Sequence, residues 1–433
     1  MIDKIIETNY PINFRKKEAS ELGIQLKNRN SVVLIGMKRV GISNFLRFFL
    51  NHKKIAKKYI GNEKRHLFIP VDLNDLVELE FFPFWILTLK RILDMTEKNF
   101  SQSSIKNYTE RLFLDSMQSK DVFLTIESIR KSLIRLVEIG IFPTIFFIRF
   151  DRLKDIVTRE FFSNLQGLLD STNRKLTYVF TSYRSLTILS PSVFSKSSLS
   201  LFAQNIHIKP AEKKDTKIIF DTYSARYKLS LYSSLEDSFL EVVDGYIQYL
   251  QLALISLHES AVKLKNKEEF FNFLAKDERI ILQSEELWES LGTIEQKVLL
   301  KIEKEQKISS DERKDASYLW DSGFITESLG KKPRVFSSLF RHYLKRIQIK
   351  DNKSGVELSK KEHVLFNFLK SKAESICERE EIVQAVWPEV EEFGVSDWAI
   401  DRLVARLRVK LKSQKAHFEI QTVKTRGYKM IAA

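Results

Sequence analysis

Residues 31–50 of the chain have the sequence SVVLIGMKRVGISNFLRFFL. The run 31–35 is short, apolar and rich in β-branched residues, which is typical of a buried strand. Gly36 ends this run, Gly41 follows five positions later, and apolar residues then recur with helical spacing over 45–50. The stretch therefore predicts a strand, a glycine loop and a helix in succession.

The segment 36–43 has most features of a loop that binds nucleotide phosphates. Such a loop needs glycines, so that backbone N–H groups can face the phosphates, a lysine for the β and γ phosphates, and a hydroxyl for Mg²⁺. Gly36 and Gly41 have the required spacing and Ser43 supplies the hydroxyl, but Ile42 occupies the lysine position. Because that charge stabilises the transition state, we do not expect hydrolysis. Nucleotide binding without turnover and a loop with no ligand both stay open, with Lys38 and Arg39 as substitute cations.

Further strand candidates follow at 67–71, 144–150 and 177–180, and each ends next to polar residues. Helical patterns lie between them, for example over 84–95 and 122–136. Strands that alternate with helices predict an α/β domain with a mostly parallel sheet.

Together with the sequence Phe14-Arg15-Lys16-Lys17-Glu18, the loop resembles the sensor and switch ATPases related to the AAA+ superfamily, including the STAND and origin-recognition-like groups. The resemblance covers residues 10–347. It implies ATP or ADP with Mg²⁺ as cofactor, a metal-binding acid after the strand 144–150, and a γ-phosphate sensor after the strand 177–180. Asp151 matches that acid only with a shift, and Arg149 stands where a catalytic carboxylate is expected, so no catalytic residue is assigned. The nucleotide-binding residues that follow are Gly36, Lys38, Arg39, Gly41, Ser43, Asp151 and Thr181.

The C-terminal residues 395–433 combine an amphipathic helix with concentrated positive charge. Nine Lys or Arg stand there against three Asp or Glu. Ser396 is a suitable helix N-cap. Apolar and basic side chains occupy different faces of the predicted helix: Ile400, Val404, Leu407 and Leu411 form the apolar face, and Arg402, Arg406, Arg408 and Lys410 lie elsewhere. A local surplus of this kind is what contact with nucleic-acid phosphates requires.

An alternating strand over 420–424, a turn and a returning strand over 425–430 predict a β-hairpin wing after this helix. With the blocks Leu358-Ser359, Glu362, 379–382 and 386–388, the region closely resembles the OmpR/PhoB-type effector domain of response regulators, over residues 356–432.

The resemblance to the OmpR/PhoB-type domain implies a recognition helix, 396–411, in the major groove of double-stranded DNA, with the wing near the adjacent minor groove. It places Arg406 and Arg408 at bases or phosphates. It places Thr422, Lys424 and Tyr428 at the backbone, and Arg402 and Arg426 join them by charge and exposure. The sequence departs from the family at Trp398, Leu403, Ala405 and Thr425, which weakens direct base readout. A winged helix that docks on protein is the alternative.

These patterns divide the chain into five parts. They are a P-loop NTPase-like domain with a degenerate phosphate loop (1–208), a helical lid (209–280), an inner winged helix (281–347), a linker (348–357) and an OmpR/PhoB-like winged-helix DNA-binding domain (358–433). The expected fold is thus an α/β P-loop NTPase-like domain with a helical lid, followed by two α+β winged helices.

Composition narrows the function further. Among 433 residues, 71 Lys or Arg exceed 56 Asp or Glu by 15, which favours a polyanionic partner. No stretch suits a membrane span or a secretory signal, so we expect a cytoplasmic protein without a membrane partner. Cys377 is the one cysteine and sits in a stretch that we interpret as helical core, and no Cys/His spacing suits zinc.

The sequence predicts a DNA-binding protein that regulates transcription. Its ATPase-like body senses a ligand, a partner or an assembly state, including a homo-oligomer, and positions the C-terminal winged helix. The alternatives are a DNA-loaded ATPase of the origin-recognition or transposition type, and a STAND-like sensor or scaffold whose winged helix docks on protein.

Overall fold

The computed structural model describes residues 5–61, 65–100, 104–194, 202–229, 233–260, 262, 264–327, 332–351, 358, 360–387, 397–413, 417–423 and 426–432. The strands are, in chain order, β1 (Val32–Ile35), β2 (His66–Asp72), β3 (Phe142–Ile148), β4 (Thr177–Ser182), β5 (Gln204–His207), β6 (Ile325–Thr326), β7 (Arg334–Val335), β8 (Ile376–Glu378), β9 (Phe418–Val423) and β10 (Gly427–Ala432).

The α-helices are α1 (Lys16–Lys27), α2 (Ile42–Asn51), α3 (Phe81–Asn99), α4 (Ser104–Ser119), α5 (Val122–Glu138), α6 (Arg159–Ser171), α7 (Leu186–Leu189), α8 (Pro191–Phe194), α9 (Lys213–Tyr227), α10 (Ser233–Val243), α11 (Ile247–Ser260), α12 (Lys267–Leu274), α13 (Glu278–Glu289), α14 (Thr293–Glu303), α15 (Ser310–Asp315), α16 (Tyr318–Asp321), α17 (Ser338–Asp351), α18 (Lys360–Ser371), α19 (Arg379–Val386) and α20 (Asp397–Ser413). No helix within the described ranges combines the length and the apolarity that crossing a membrane requires.

The chain folds into two compact units. Unit 1 comprises Met1–Phe271 and Glu289–Ser338, and unit 2 comprises Asn272–Trp288 and Leu339–Ala433. Most of α13 therefore belongs to unit 2, although the chain on either side of it belongs to unit 1. The predicted five-part division stays a prediction.

Unit 1 is built on a parallel five-stranded sheet in the order β2-β3-β4-β1-β5. β1 and β4 are buried along their whole length, as their apolar sequences predict. Because all strands run parallel, the carboxyl ends of β1, β2, β3 and β4 lie along one edge of the sheet. The predicted α/β domain with a parallel sheet is confirmed, and β5 is an additional strand that the sequence analysis did not predict.

Helices cover this sheet, and several begin where their sequences predict. Asp121 caps α5, with its carboxylate accepting a hydrogen bond from the Leu124 amide at 2.8 Å, and Thr158 caps α6 in the same way. Helices α9–α12 occupy the region predicted to be a helical lid. Helices α14–α16 and the antiparallel pair β6 and β7 form the helix-and-strand unit predicted after it.

A buried ion pair joins the end of β4 to the start of α14. The Arg184 guanidinium donates to both carboxylate oxygens of Glu295 at 2.6 Å and to the Ser290 carbonyl at 2.6 Å. It also lies 3.9 Å from the centroid of the Tyr318 ring. Three hydrogen bonds from this arginine reach the start of α14 and Ser290 ahead of it, so the pair fixes α14 against the sheet of unit 1.

Unit 2 contains α13, α17 and a winged-helix module made of α18, β8, α19, α20, β9 and β10, whose sheet has the order β8-β10-β9. Cys377 is buried in the core of this module, as expected, but it lies on β8 and not in a helix. Pairing with β10 holds this segment extended, and a methyl group on Gly427 would lie 2.0 Å from the Cys377 carbonyl oxygen. Only glycine therefore lets the two strands approach so closely.

We predict that Arg184→Met destabilises unit 1 by about 3–5 kcal/mol, because Glu295 would keep a buried charge without its partner. The measurement is the midpoint of urea unfolding, followed by tryptophan fluorescence. Lys332→Met is the matched control, since it breaks the exposed pair with Glu305, and it should change stability by less than about 1 kcal/mol. Equal effects of the two variants would contradict the proposed importance of the buried pair.

Candidate functional site

The loop between β1 and α2 has the backbone that its glycines predict. Gly41, with φ 111°, is the N-cap of α2, and Arg39 also adopts a left-handed conformation with φ 60°. The Gly36 amide donates to the Ser182 carbonyl at 3.3 Å, which ties the loop to the end of β4. Ser43 lies in the first turn of α2. The predicted strand, glycine loop and helix are thus present.

Aliphatic side chains pack inside and against this loop. A methyl group on Gly36 would lie 2.8 Å from Val40 Cγ1 and 3.4 Å from Ile42 Cδ1. A methyl group on Gly41 would lie 2.7 Å from Cγ1 of Ile247, at the start of α11. The Tyr246 hydroxyl donates to the Lys38 carbonyl at 2.6 Å. Helix α11 is therefore fastened directly onto the loop.

Polar side chains at the carboxyl ends of β2, β3 and β4 are engaged with one another. The Arg149 guanidinium pairs with both carboxylate oxygens of Asp72, at the end of the neighbouring strand. The Arg149 amide donates to Thr181 Oγ1 at 2.8 Å. Burial raises the pKa of Asp151, against the opposing effect of the nearby cations Lys38 and Arg149. A desolvated carboxyl among cations does not fit Mg²⁺-assisted hydrolysis.

Arg15 is a cation beside the loop to which the sequence analysis gave no role. It is buried, and Nη1 donates to the Lys209 carbonyl at 2.7 Å. Its Nη2 has no hydrogen-bond partner among the described residues and lies 3.9 Å from the position of a Gly41 methyl group. Because Nη1 also pairs with the Glu18 carboxylate at 3.1 Å, Arg15 is a partly neutralised cation beside the loop, and nucleotide binding without turnover stays a prediction. The motif around Arg15 was visible in the sequence, but its proximity to Gly41 depends on the tertiary fold.

The second site is the face of the winged-helix module around α20. The predicted apolar face of this helix is confirmed, because Ile400, Val404, Leu407 and Leu411 are all buried in the module core. Leu403 joins them, which explains its departure from the polar residue expected there. Ser396, the predicted N-cap, lies outside the described residues.

Two cations of α20 meet carboxylates on one flank of the helix. Arg406 Nη2 lies 2.8 Å from Oε1 of Glu362 on α18, and Arg406 Nε lies 3.1 Å from Oε2 of Glu285 on α13. Lys410 pairs with the other oxygen of Glu362. Glu362 is fully buried and Arg406 is 15% exposed. Arg402, one turn before Arg406, is half-buried.

Arg408 braces the hairpin from the opposite flank. Its Nε donates to the Ile420 carbonyl at 2.7 Å, and its Nη2 donates to Thr422 Oγ1 at 2.8 Å. Thr422 itself is exposed on β9. Arg426, in the turn of the hairpin, is 62% exposed and lies 3.9 Å from Glu378. These residues form a partly basic surface along the wing.

Tyr428 is mostly a packing residue. It is 3% exposed, its hydroxyl donates to Asp401, and the Arg379 guanidinium carbon lies 5.4 Å from its ring centroid. Burial, with the hydrogen bond to Asp401, raises the pKa of Tyr428 to about 12. Thr422 and Arg426 are exposed, whereas Tyr428 is buried and both Arg406 and Arg408 have partners inside unit 2.

Two further observations concern the predicted DNA contacts. Lys424 lies outside the described residues, so the structure does not place it. The outward face of α20 carries Ala405 and the 69%-exposed Val409, with the half-buried Arg402 beside them. Within the described residues no group of three or more His, Cys, Asp or Glu side chains is arranged to hold a metal ion.

We predict that the chain releases no phosphate from ATP above the buffer background, and that Ile42→Lys does not change this. The reason is that Arg149 and Asp72 would still neutralise each other where a metal and a base are needed. The measurement is phosphate release with Mg²⁺ present. Turnover by the Ile42→Lys variant would show instead that the missing lysine alone silences the site.

Comparison with known protein families matches one segment of the chain. Residues 352–430 match the family model described as "Transcriptional regulatory protein, C terminal". No curated relative matches the chain by sequence.

Solved structures similar to the chain include a Walker-type ATPase of Pyrococcus abyssi, with 15% identity over 76% of this chain and 95% of that one and a TM-score of 0.49. ORC2 of Aeropyrum pernix matches at 13% identity over 81% and 99%, with a TM-score of 0.43. ORC1 of Aeropyrum pernix, in complex with DNA, matches at 14% identity over 78% and 94%, with a TM-score of 0.38.

The strand, glycine loop and helix on a parallel sheet are the architecture of a P-loop ATPase, and the module of α18–α20 with its hairpin is a winged helix. The chain thus carries a transcriptional regulatory domain of the OmpR/PhoB type at its C-terminal end, preceded by a body with a P-loop ATPase fold.

Proposed function

We propose that this protein is a transcriptional regulator whose ATPase-like body responds to a ligand, a partner or an assembly state and positions the C-terminal module on double-stranded DNA. The observation that carries the proposal is the winged helix itself. An aliphatic spine fixes α20 in the module core, and a hairpin braced by Arg408 stands beside it. This is the arrangement with which a helix enters the major groove while a wing approaches the backbone.

The charges around the module favour binding dominated by phosphate contacts. Arg426 is exposed in the turn of the wing, and Arg408 lies against Thr422 on the strand beside that turn. Phosphate contacts position a protein on DNA, whereas base edges are read by side chains that point outward from the recognition helix. Here Ala405 and Val409 offer no donor for a base edge. The proposal therefore includes strong salt dependence and modest sequence preference.

The proposed sensing role of the body follows from the residues that replace those of a catalytic phosphate loop. With Ile42 in the loop and Arg149 paired to Asp72, the body lacks the groups that drive a nucleotide cycle. Its input must then come from binding alone, through a ligand, a protein partner or a second copy of the chain. Arg15 beside Gly41 is where an anionic ligand would act.

A second candidate is a module that docks on protein. It is favoured by the outward face of α20, where Ala405 and Val409 lie one turn apart and Val409 is 69% exposed. Charged residues are depleted and apolar residues enriched at the centre of protein interfaces. Absence of salt-dependent binding of the full chain to duplex DNA would favour this candidate.

We predict that the full chain binds a mixed-sequence duplex with an affinity that falls steeply as KCl rises, and that Arg426→Glu weakens it. Because one phosphate contact is lost, the slope of log K against log salt should become shallower by about 1. Fluorescence anisotropy of a labelled duplex measures both quantities.

The matched control is Lys27→Glu, a charge reversal at an exposed position at the end of α1. It should leave affinity and slope unchanged. If Arg426→Glu and Lys27→Glu behave alike, the wing is not the DNA contact, and the proposed function loses its support.

A further inference from the structure

Helix α13 contributes acidic side chains to the winged-helix module. It contains four glutamates and one arginine. Glu278 Oε2 lies 2.9 Å from Lys361 Nζ, and Glu285 Oε2 lies 3.1 Å from Arg406 Nε. These two glutamates are seven residues apart, which places them on the same face of the helix, two turns from each other. One face of α13 therefore meets two cations of the module.

The contact with Arg406 is well sheltered from solvent. Arg406 is 15% exposed and Glu285 is 21% exposed, and the guanidinium is shared with the buried Glu362. Ion pairs at this degree of burial are less screened by salt than surface pairs. The contact with Glu285 is an ion pair on the Nε side of the guanidinium, and it occupies the place where a phosphate would approach that side.

The two acidic partners of Arg406 differ in origin. Glu362 lies inside the segment that matches the transcriptional regulatory family, residues 352–430, and is part of the module core. Glu285 comes from outside that segment. Removing Glu285 would leave Arg406 paired with Glu362 and the module core intact.

We infer that α13 is an internal competitor of DNA: Glu285 and Glu278 take the place of backbone phosphates at Arg406 and Lys361, and full engagement of a duplex requires α13 to leave this flank of α20. The inference rests on the proposed function and adds its regulation. A carboxylate and a phosphate oxygen accept the same charge-assisted hydrogen bonds from arginine. The two therefore compete for the Nε side of the Arg406 guanidinium, while Nη2 stays with Glu362.

Chain connectivity links α13 to unit 1. The segment Asn272–Trp288 belongs to unit 2, but the chain before it and after it belongs to unit 1. Helix α13 is thus tied to the ATPase-like body at both ends. A change in the body that displaces either end of α13 changes the ion pair between Glu285 and Arg406.

The test compares binding of the full-length chain and its variants to a labelled mixed-sequence DNA duplex over a series of KCl concentrations. Glu285→Gln should bind roughly 3- to 10-fold more tightly than the unaltered chain at low salt, since a competing charge is removed. Its slope of log K against log salt should be steeper by about 0.9, because Arg406 gains a phosphate. Adding Arg406→Gln to this variant should remove both gains.

Glu241→Gln is the matched control. It makes the same change of net charge in unit 1, where Glu241 pairs with Lys267 at an exposed site. An equal gain in both variants would mean that net charge alone acts, and would overturn the inference.

Hydrogen exchange provides a measurement that needs no variant. Adding duplex to the unaltered chain should increase amide exchange over residues 278–289, because α13 loses its contacts with the module. Tight, salt-dependent binding with unchanged exchange in α13 and no gain from Glu285→Gln would overturn the competitor and leave the proposed function standing. If neither the chain nor Glu285→Gln binds duplex at any salt concentration, the proposed function itself fails, and the inference fails with it.

Discussion

Burial of the aliphatic spine of α20 is the constraint from which the chemistry of the module follows. Fully burying a side chain such as Ile400 or Leu407 contributes about 1.5–3 kcal/mol, whereas a surface ion pair contributes about 0–1 kcal/mol. The spine therefore fixes the rotation of the helix about its axis, and the charges occupy the positions that remain. One flank receives Arg406 and the other receives Arg408. The outward face is left with Val409 and its neighbours, so the module is held by its core and charged along its sides.

Unit 1 keeps the backbone course of a phosphate loop but replaces side chains that would act on a nucleotide. Gly41 keeps the left-handed conformation that starts α2, so the loop retains its course. The chemistry has been replaced by packing, because Ile42 folds toward Gly36 and Ile247 covers Gly41. Arg149 completes the change by binding Asp72 across the ends of two strands. What is left is a packed connection between the sheet and α11.

The extent to which the sequence predicted this structure varies with the range of the interactions. Strands β1–β4 and helix α20 follow from local apolar patterns, and all are present. β5 (Gln204–His207) was not predicted, since it is a polar edge strand with few buried residues. Cys377 was assigned to a helix because pairing with β10 cannot be seen in a short window. The partners of Arg406 were also missed, since Glu285 lies far from it in sequence and only the fold brings the two together. The DNA contacts of the wing stay predictions.

In the proposed competition Arg406 has two acceptors of the same chemical kind, the Glu285 carboxylate and a backbone phosphate, so a small input can decide between them. The pair of Glu285 with Arg406 is of the kind that contributes on the order of 1 kcal/mol, and a phosphate offers Arg406 a comparable contact. A tenfold change in the ratio of two states needs only about 1.4 kcal/mol, so the body has to bias α13 by no more than one or two such contacts. Hydrolysis of a nucleotide is not needed to supply a free energy of this size. Binding of a ligand or partner to the body suffices, provided that it favours one position of α13 over the other.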